Sequence, residues 1–138
     1  MHIDFGFFLS NSPGGNANFE RAPFKLTREM IDVIGGEHSL EFATFRELVI
    51  RGFRASHRIY PKIRTLVQIA LDAYGSQFPC FSGGTNAVLD GLERRFRTDL
   101  TSKREAAQFV NEELINPSID NWRTRWYDKY QMCCLGIL

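Results

Sequence analysis

The chain has 138 residues, of which 43% are hydrophobic and 24% are charged, with 17 basic and 16 acidic side chains. This length suits a single domain with one core, and the ordinary composition excludes extended disorder, collagen and coiled coil. The formal net charge of +1 gives no field that would recruit nucleic acid across the whole surface, so no nucleic-acid partner is expected.

The cysteines and the apolar runs indicate the compartment. The three cysteines, Cys80, Cys133 and Cys134, have neither the even number of a disulfide framework nor the paired spacing of a zinc site. No apolar run approaches the length of a membrane span, and the first residues lack the basic and apolar stretches of a signal peptide. We therefore expect a cytoplasmic chain in a reducing compartment, either free or at a membrane surface.

The N-terminal part predicts a strand, a loop and a short helix. The apolar run "HIDFGFFL" from His2 to Leu9 is typical of a short strand or hairpin, and the turn formers "SNSPGGN" follow it. The loop is expected to continue to Pro23. Thr27 then offers a side-chain oxygen that would cap the helix "REMIDVI", and Gly35-Gly36 would end that helix in left-handed geometry.

Two separate helices are predicted in the next segment. Ser39 is the expected N-cap of the first, whose apolar stripe has helical spacing: Phe42, Phe45, Val49, Gly52 and Phe53. Pro61 is expected in the first turn of the second, because that position needs no amide hydrogen. Gly75 would end this helix, whose apolar residues fall on one face: Ile63, Leu66, Val67, Ala70, Leu71 and Tyr74.

Three further helices are predicted after the connection "SQFPCFSGGT". The first follows a Thr cap and is marked by Leu89, Leu92 and Phe96, and the second starts at Thr101 with Ala106, Phe109, Val110 and Leu114 inward. Asn116-Pro117 should end the second helix, because a residue before proline disfavours helical geometry. Ser118 is the expected cap of the last helix. The prediction is therefore a mainly α domain with one N-terminal strand or hairpin.

The last helix carries an aromatic stripe at spacings of three and four residues. The stripe consists of Ile119, Trp122, Trp126, Tyr130 and Cys133, while Arg123, Arg125 and Lys129 spread over the other faces. This pattern suits an interfacial helix whose tryptophans reach the head-group layer of a membrane. Packing of the stripe onto the rest of the domain would explain it equally well.

The order of these motifs resembles one enzyme family. The stretch "HIDFGFFLSNSPGGNANFERAPFKLTREMIDVIGG" is similar to the activation segment of type III phosphatidylinositol 4-kinases, and "GSQFPCFSG", "LERRF" and "YDKYQMCCLGIL" resemble later parts of their C-terminal lobe. "QFPCF" and the ending "GIL" favour the beta branch, although "SPGGN" and "REAAQF" resemble the alpha branch. The resemblance implies a protein-kinase-like (PI3/PI4-kinase) fold, with residues 1–138 as part of the catalytic domain: activation segment 4–27 and helical C-terminal lobe 28–138.

The resemblance also assigns a nucleotide and metal site at the N-terminus. It implies that the enzyme uses ATP and Mg²⁺, with Asp4 as the carboxylate that holds the metal against the phosphates. Phe5 and Gly6 would set the backbone bend that aims this carboxylate, and Ile3 would line the adenine pocket. The alternative for Asp4 is an aspartate at a strand end that stabilises a turn.

The loop that faces the lipid head group in this family is almost uncharged here. Between residues 7 and 26, the charged side chains are Glu20, Arg21 and Lys25. Related enzymes that act on phosphorylated lipids place several Lys or Arg residues in this loop to pair with the extra phosphates. The resemblance thus implies unphosphorylated phosphatidylinositol as substrate, with Arg21 and Lys25 at its phosphodiester. Either cation would otherwise be solvated, or Arg21 paired with Glu20.

The same resemblance predicts that these 138 residues alone are inactive. The nucleotide lysine and the catalytic loop of the family lie upstream of the Asp-Phe-Gly triplet, so no catalytic-loop residue is expected in this chain. We expect part of a phosphatidylinositol 4-kinase, peripheral on intracellular membranes and Golgi-like for the beta branch. The alternatives are part of a phosphatidylinositol 3-kinase and a non-catalytic helical module that binds membranes or a partner.

Overall fold

A computed structural model describes residues 22–75, 77–81 and 83–136. These residues are mainly helical, which confirms the predicted fold class, whereas the predicted strand from His2 to Leu9 lies outside the described residues. The α-helices are α1, Arg28–Val33; α2, Leu40–Tyr74; α3, Thr85–Phe96; α4, Lys103–Phe109; α5, Asn116–Ser118; and α6, Trp122–Tyr130. A 3-10 helix spans Pro79–Phe81, and π-helical turns span Val110–Ile115 and Gln131–Leu135.

The described residues fall into two compact units where composition predicted one core. The first unit contains described residues from 54 to 101, and the second contains residues 22–53 and 102–136. In the first unit the buried apolar cluster consists of Leu71, Phe81, Val88 and Leu89. In the second unit it consists of Leu26, Ile31, Phe42, Ile50, Val110 and Ile115. Each unit therefore has its own apolar cluster.

Helix α1 begins and ends where the sequence predicts. The Thr27 hydroxyl accepts a hydrogen bond from the Met30 amide at 3.3 Å, as expected of an N-cap. Gly35 and Gly36 have φ values of 91° and 88°, and the Gly36 amide donates to the Ile31 carbonyl at 2.9 Å. A side chain at position 35 would also press against Ser39, so glycine suits this helix end for two reasons.

Helix α2 continues through Pro61, so the prediction of two separate helices was wrong. Ser39 does cap its start, because its hydroxyl accepts from the Phe42 amide at 3.0 Å. Proline removes one backbone hydrogen bond, but its fixed φ is helical and the long helix continues on both sides. In the residues after Pro61, Leu71 is buried, whereas Leu66 is 66% exposed. The predicted apolar face is too wide, about 140° at 100° per residue, to be buried completely.

Helix α3 begins at Thr85, the residue predicted to be its cap, and so starts one residue earlier than predicted. Gly84 precedes the helix with φ 81°, and Thr85 is its first residue, so the cap is not a threonine side chain. Leu89 and Leu92 are buried as predicted, and the ring of Phe96 packs 5.1 Å from that of Tyr60.

Helix α4 is capped by Ser102, one residue later than predicted. The Ser102 hydroxyl accepts from the Glu105 amide at 3.1 Å, and the Glu105 carboxylate accepts from the Ser102 amide at 3.0 Å. This reciprocal capping box satisfies two amides that a helix start leaves without partners, and such a cap typically contributes about 1 kcal/mol. The inward residues follow the prediction, with Ala106 and Val110 buried.

The helical segment that begins with α4 does not end at Asn116-Pro117 as predicted. Asn116 keeps helical geometry, with φ −57° and ψ −44°, because the chain first widens into a π-helical turn and Pro117 then lies in the first turn of α5. Ser118 does not cap the last helix either. It is buried at the end of α5, and its hydroxyl donates to the Leu114 carbonyl at 2.7 Å. Asn121 lies before α6 instead and accepts from the Arg123 amide at 3.0 Å.

Candidate functional site

The sequence-predicted site is divided between undescribed and described residues. The nucleotide and metal positions Ile3, Asp4, Phe5 and Gly6 lie outside the described residues, and so does Arg21. Lys25 lies within them, in the segment that leads from the predicted substrate loop into α1. The described part of the predicted site is therefore the end of that loop, around Lys25.

The end of the loop is anchored on the turn between α5 and α6. Leu26 is buried and forms a parallel bridge with Ile119, and the Asp120 amide donates to the Leu26 carbonyl at 2.8 Å. Two residues earlier, the Phe24 amide donates to the buried Ser118 hydroxyl at 3.3 Å. These contacts fix the backbone on both sides of Lys25.

Lys25 forms an ion pair with Asp128 on α6. Its Nζ lies 2.7 Å from Asp128 Oδ1, and the side chains are 48% and 30% exposed. Because alternate residues of an extended segment point to opposite sides, burial of Leu26 leaves the Lys25 side chain on the outside. The predicted lipid-binding cation is thus at the surface, with one carboxylate already beside it.

Further charges surround this pair. Backbone hydrogen bonding in the first turn of α1 lowers the pKa of Glu29, and the Thr27 hydroxyl and the positive charges of Arg125 and Lys25 act in the same direction. Arg125 Nε in turn lies 3.5 Å from Asp120 Oδ1. This charge cluster, defined as Lys25, Glu29, Asp120, Arg125 and Asp128, joins the loop end, α1 and α6 through groups of both signs.

The aromatic stripe of α6 points mostly to solvent. Trp122, Trp126 and Tyr130 are 63%, 51% and 44% exposed, while Thr124 is the buried residue of the helix. The rings of Trp126 and Tyr130 stack with centroids 6.0 Å apart, and the Arg123 guanidinium lies 5.1 Å from the Trp122 ring. Ile119 does not belong to this exposed surface, because it packs against the core of the second unit. Within the described residues, Ile119 is therefore a core residue, whereas the three aromatic side chains keep between 44% and 63% of their surface exposed.

Sequence reasoning missed Asp128 and the anchoring role of Ser118. Lys25 and Asp128 are 103 residues apart, and Phe24 and Ser118 are 94 apart, so no local spacing connects either pair. The available signal was the similarity of both "APFKLT" and "YDKY" to the same family, which placed them in one lobe without pairing them.

Two negative findings apply to the described residues. Within ranges 22–75, 77–81 and 83–136, no group of His, Cys, Asp and Glu side chains is arranged to hold a metal ion. In the same part of the chain, no helix combines the length and apolar character that a membrane span needs.

The class of protein is defined by a family model that matches more than half of the chain. The family model for phosphatidylinositol 3- and 4-kinases matches residues 1–78. The chain belongs to this family, as the sequence resemblance predicted.

Individual relatives are more specific. The chain is 47% identical over 137 residues to a phosphatidylinositol 4-kinase of Dictyostelium discoideum, which covers 99% of this chain and 11% of that protein. It is 45% identical over 142 residues to phosphatidylinositol 4-kinase beta 1 of Arabidopsis thaliana, covering 100% and 12%. It is 36% identical over 138 residues to phosphatidylinositol 4-kinase beta of Rattus norvegicus, covering 100% and 16%. The chain thus spans between 11% and 16% of these relatives' lengths.

Proposed function

We propose that this chain is the helical C-terminal lobe of a phosphatidylinositol 4-kinase, which transfers the γ-phosphate of ATP to the 4-hydroxyl of phosphatidylinositol. The observation that carries the proposal is the match over 99% to 100% of the chain to proteins that are named phosphatidylinositol 4-kinase. The helical fold of the described residues is consistent with this lobe. The beta branch is proposed, because relatives of that branch match the whole chain.

The proposed chemistry assigns a role to each predicted residue. Asp4 would hold Mg²⁺, which supplies positive charge across the ATP phosphates, while Phe5 and Gly6 orient the carboxylate and Ile3 contacts the adenine. Arg21 and Lys25 would donate hydrogen bonds to the phosphodiester of the lipid. An ammonium group has three N–H donors, so Lys25 can contact Asp128 and a phosphate oxygen at once. The nucleotide lysine and the catalytic base come from outside these 138 residues in this proposal.

A chimeric kinase tests the reaction. In this chimera, the 138-residue chain replaces the matching segment of the Dictyostelium discoideum relative, and the relative supplies the rest of the catalytic domain. With vesicles that contain phosphatidylinositol and with Mg²⁺ and ATP, we expect a product phosphorylated at the 4-position. A 3-phosphate product would favour the phosphatidylinositol 3-kinase alternative, which the family description also includes. Absence of transfer in the chimera, with full activity of the unaltered relative, would contradict the proposal.

We also propose that α6 contacts the membrane, so that the enzyme is peripheral on the cytoplasmic side of intracellular membranes, Golgi-like for the beta branch. The support is the exposure of Trp122, Trp126 and Tyr130 on a helix that also carries Arg125 and Lys129. Amphipathic rings at head-group level, with cations that attract anionic lipid, are typical of interfacial helices. This contact would also serve a non-catalytic membrane-binding module, which differs from the kinase in having no transfer activity.

Removal of the two tryptophans should weaken membrane binding. For the 138-residue chain with Trp122→Ala and Trp126→Ala, we expect about tenfold weaker binding to vesicles of phosphatidylcholine and phosphatidylinositol, because two large apolar surfaces no longer leave water. Cosedimentation with the vesicles measures this. Phe78→Ala, which removes another half-exposed aromatic ring, is the control and should bind normally. Equal binding of all three proteins would contradict the membrane role of α6.

A further inference from the structure

The backbone on both sides of Lys25 is fixed by hydrogen bonds. The Phe24 amide is bonded to Ser118, and the Leu26 carbonyl accepts from Asp120. With the main chain held on both sides, only the torsions of the long side chain remain to be set. The contact of 2.7 Å with Asp128 sets them.

Asp128 lies on the flank of α6 that leads to the aromatic stripe. At 100° per residue, Arg125, Lys129 and Trp122 lie about 60°, 100° and 120° round the helix from Asp128, all in the same direction. Asp128 therefore holds the Lys25 ammonium at the edge of a surface that continues through two cations to a tryptophan. A lipid head group that binds at this flank would contact Lys25 on the side of the predicted substrate loop and the cations of α6 on the other side.

Stability does not explain this ion pair. Both side chains are partly exposed, and exposed ion pairs contribute little to folding. The pair does, however, restrict the flexible Lys25 side chain to one direction. The contact with Asp128 uses only one of the three N–H donors of the Lys25 ammonium. The remaining donors are available to an anionic ligand at a defined place.

We propose that Asp128 is a positioning residue that holds Lys25 for the phosphodiester of phosphatidylinositol. This inference rests on the proposed function. Asp128 would act through Lys25 and not on the lipid itself, because a carboxylate beside a phosphodiester repels it. The loss of Asp128 should consequently matter only while Lys25 is present.

A double-mutant cycle in the chimeric kinase tests this dependence. We expect Asp128→Asn to raise the KM for phosphatidylinositol about threefold to tenfold, with kcat and the KM for ATP unchanged, and Asp128→Glu to restore most of the loss. In a Lys25→Met background, Asp128→Asn should change nothing further. Asp90→Asn, an exposed aspartate of α3, is the control and should leave all constants unchanged. An unchanged KM in Asp128→Asn, or the same factor in both backgrounds, would overturn the proposal.

A binding measurement separates this proposal from the proposed function. The cycle compares four versions of the 138-residue chain: unaltered, Asp128→Asn, Lys25→Met and the double variant. For each, binding to vesicles that contain phosphatidylinositol is measured against binding to vesicles of phosphatidylcholine alone. We expect Asp128→Asn to reduce the preference for phosphatidylinositol about threefold when Lys25 is present and not when it is Met. If the chimera transfers no phosphate but this dependence is found, the kinase proposal fails and the role of Asp128 stands. If the chimera is active and the kinetic cycle is additive, only the role of Asp128 fails. An inactive chimera with no dependence in the vesicles overturns both.

Discussion

Replacing Asp4 with Asn in the chimeric kinase should lower kcat by about a thousandfold or more. The two side chains have the same shape, but the amide carries no negative charge, so it would not hold Mg²⁺ across the ATP phosphates while charge develops in the transition state. Initial rates at saturating ATP and phosphatidylinositol, measured over a range of Mg²⁺ concentrations, give this value. Partial recovery at high Mg²⁺ would be consistent with weakened metal binding.

The matched control for Asp4 is Asp32→Asn, an exposed aspartate on α1. It removes the same charge from the same chain and should retain full activity, since it lies in the helix after the predicted loop. If Asp4→Asn kept more than a tenth of the activity, Asp4 would not be the metal carboxylate. The remaining explanation would then be an aspartate that stabilises a turn.

Replacing Phe42 with Ala should destabilise the second unit by about 3–5 kcal/mol, the usual loss for a fully buried aromatic ring. Phe42 is 0% exposed at the start of α2, with the ring of Phe45 at 5.7 Å and the Arg46 guanidinium at 4.9 Å. Its removal takes apolar contacts from the cluster that also buries Leu26. Urea unfolding of the chain, followed by circular dichroism, measures the change in the free energy of unfolding.

Leu66→Ala is the control for Phe42, because it truncates a side chain on the same helix that is 66% exposed. We expect a change of about 0.5 kcal/mol or less, as for most surface substitutions. Similar losses in both variants would mean that Phe42 is not part of a packed core. An effect of less than about 1 kcal/mol for Phe42→Ala would lead to the same conclusion.

The parts of the fold that were predicted correctly depend on short-range chemistry. Thr27 and Ser39 cap their helices through hydrogen bonds to amides three residues away, and Gly36 ends α1 in positive φ. Two of the wrong predictions concern prolines, since local rules treat Pro61 and Pro117 as helix boundaries. In the structure, a 35-residue helix continues past the first, and a π-helical turn places the second in a helical first turn. Both outcomes depend on the wider helical context, which a local rule does not contain.

In the candidate site too, features set by neighbouring residues were predictable and features set by distant residues were not. Lys25 was assigned as a lipid-binding residue from the family resemblance, and that role stays a prediction. The partner Asp128 and the anchor Ser118 are about a hundred residues away along the chain, so only folding reveals them. The nucleotide positions, including Asp4, stay predictions because they lie outside the described residues.

The bridge between Leu26 and Ile119 has a consequence for how the chain folds during synthesis. The second unit is built from residues 22–53 and 102–136, with the first unit inserted between them in the sequence. Ile119 is made more than 90 residues after Leu26, once the described part of the first unit has been synthesised. Because domains fold as units and long-range contacts form slowly, we expect the end of the predicted substrate loop to stay exposed until Ile119 has been made and has left the ribosome. A ribosome that stalls before Ile119 would therefore display Leu26 and Phe42 to chaperones.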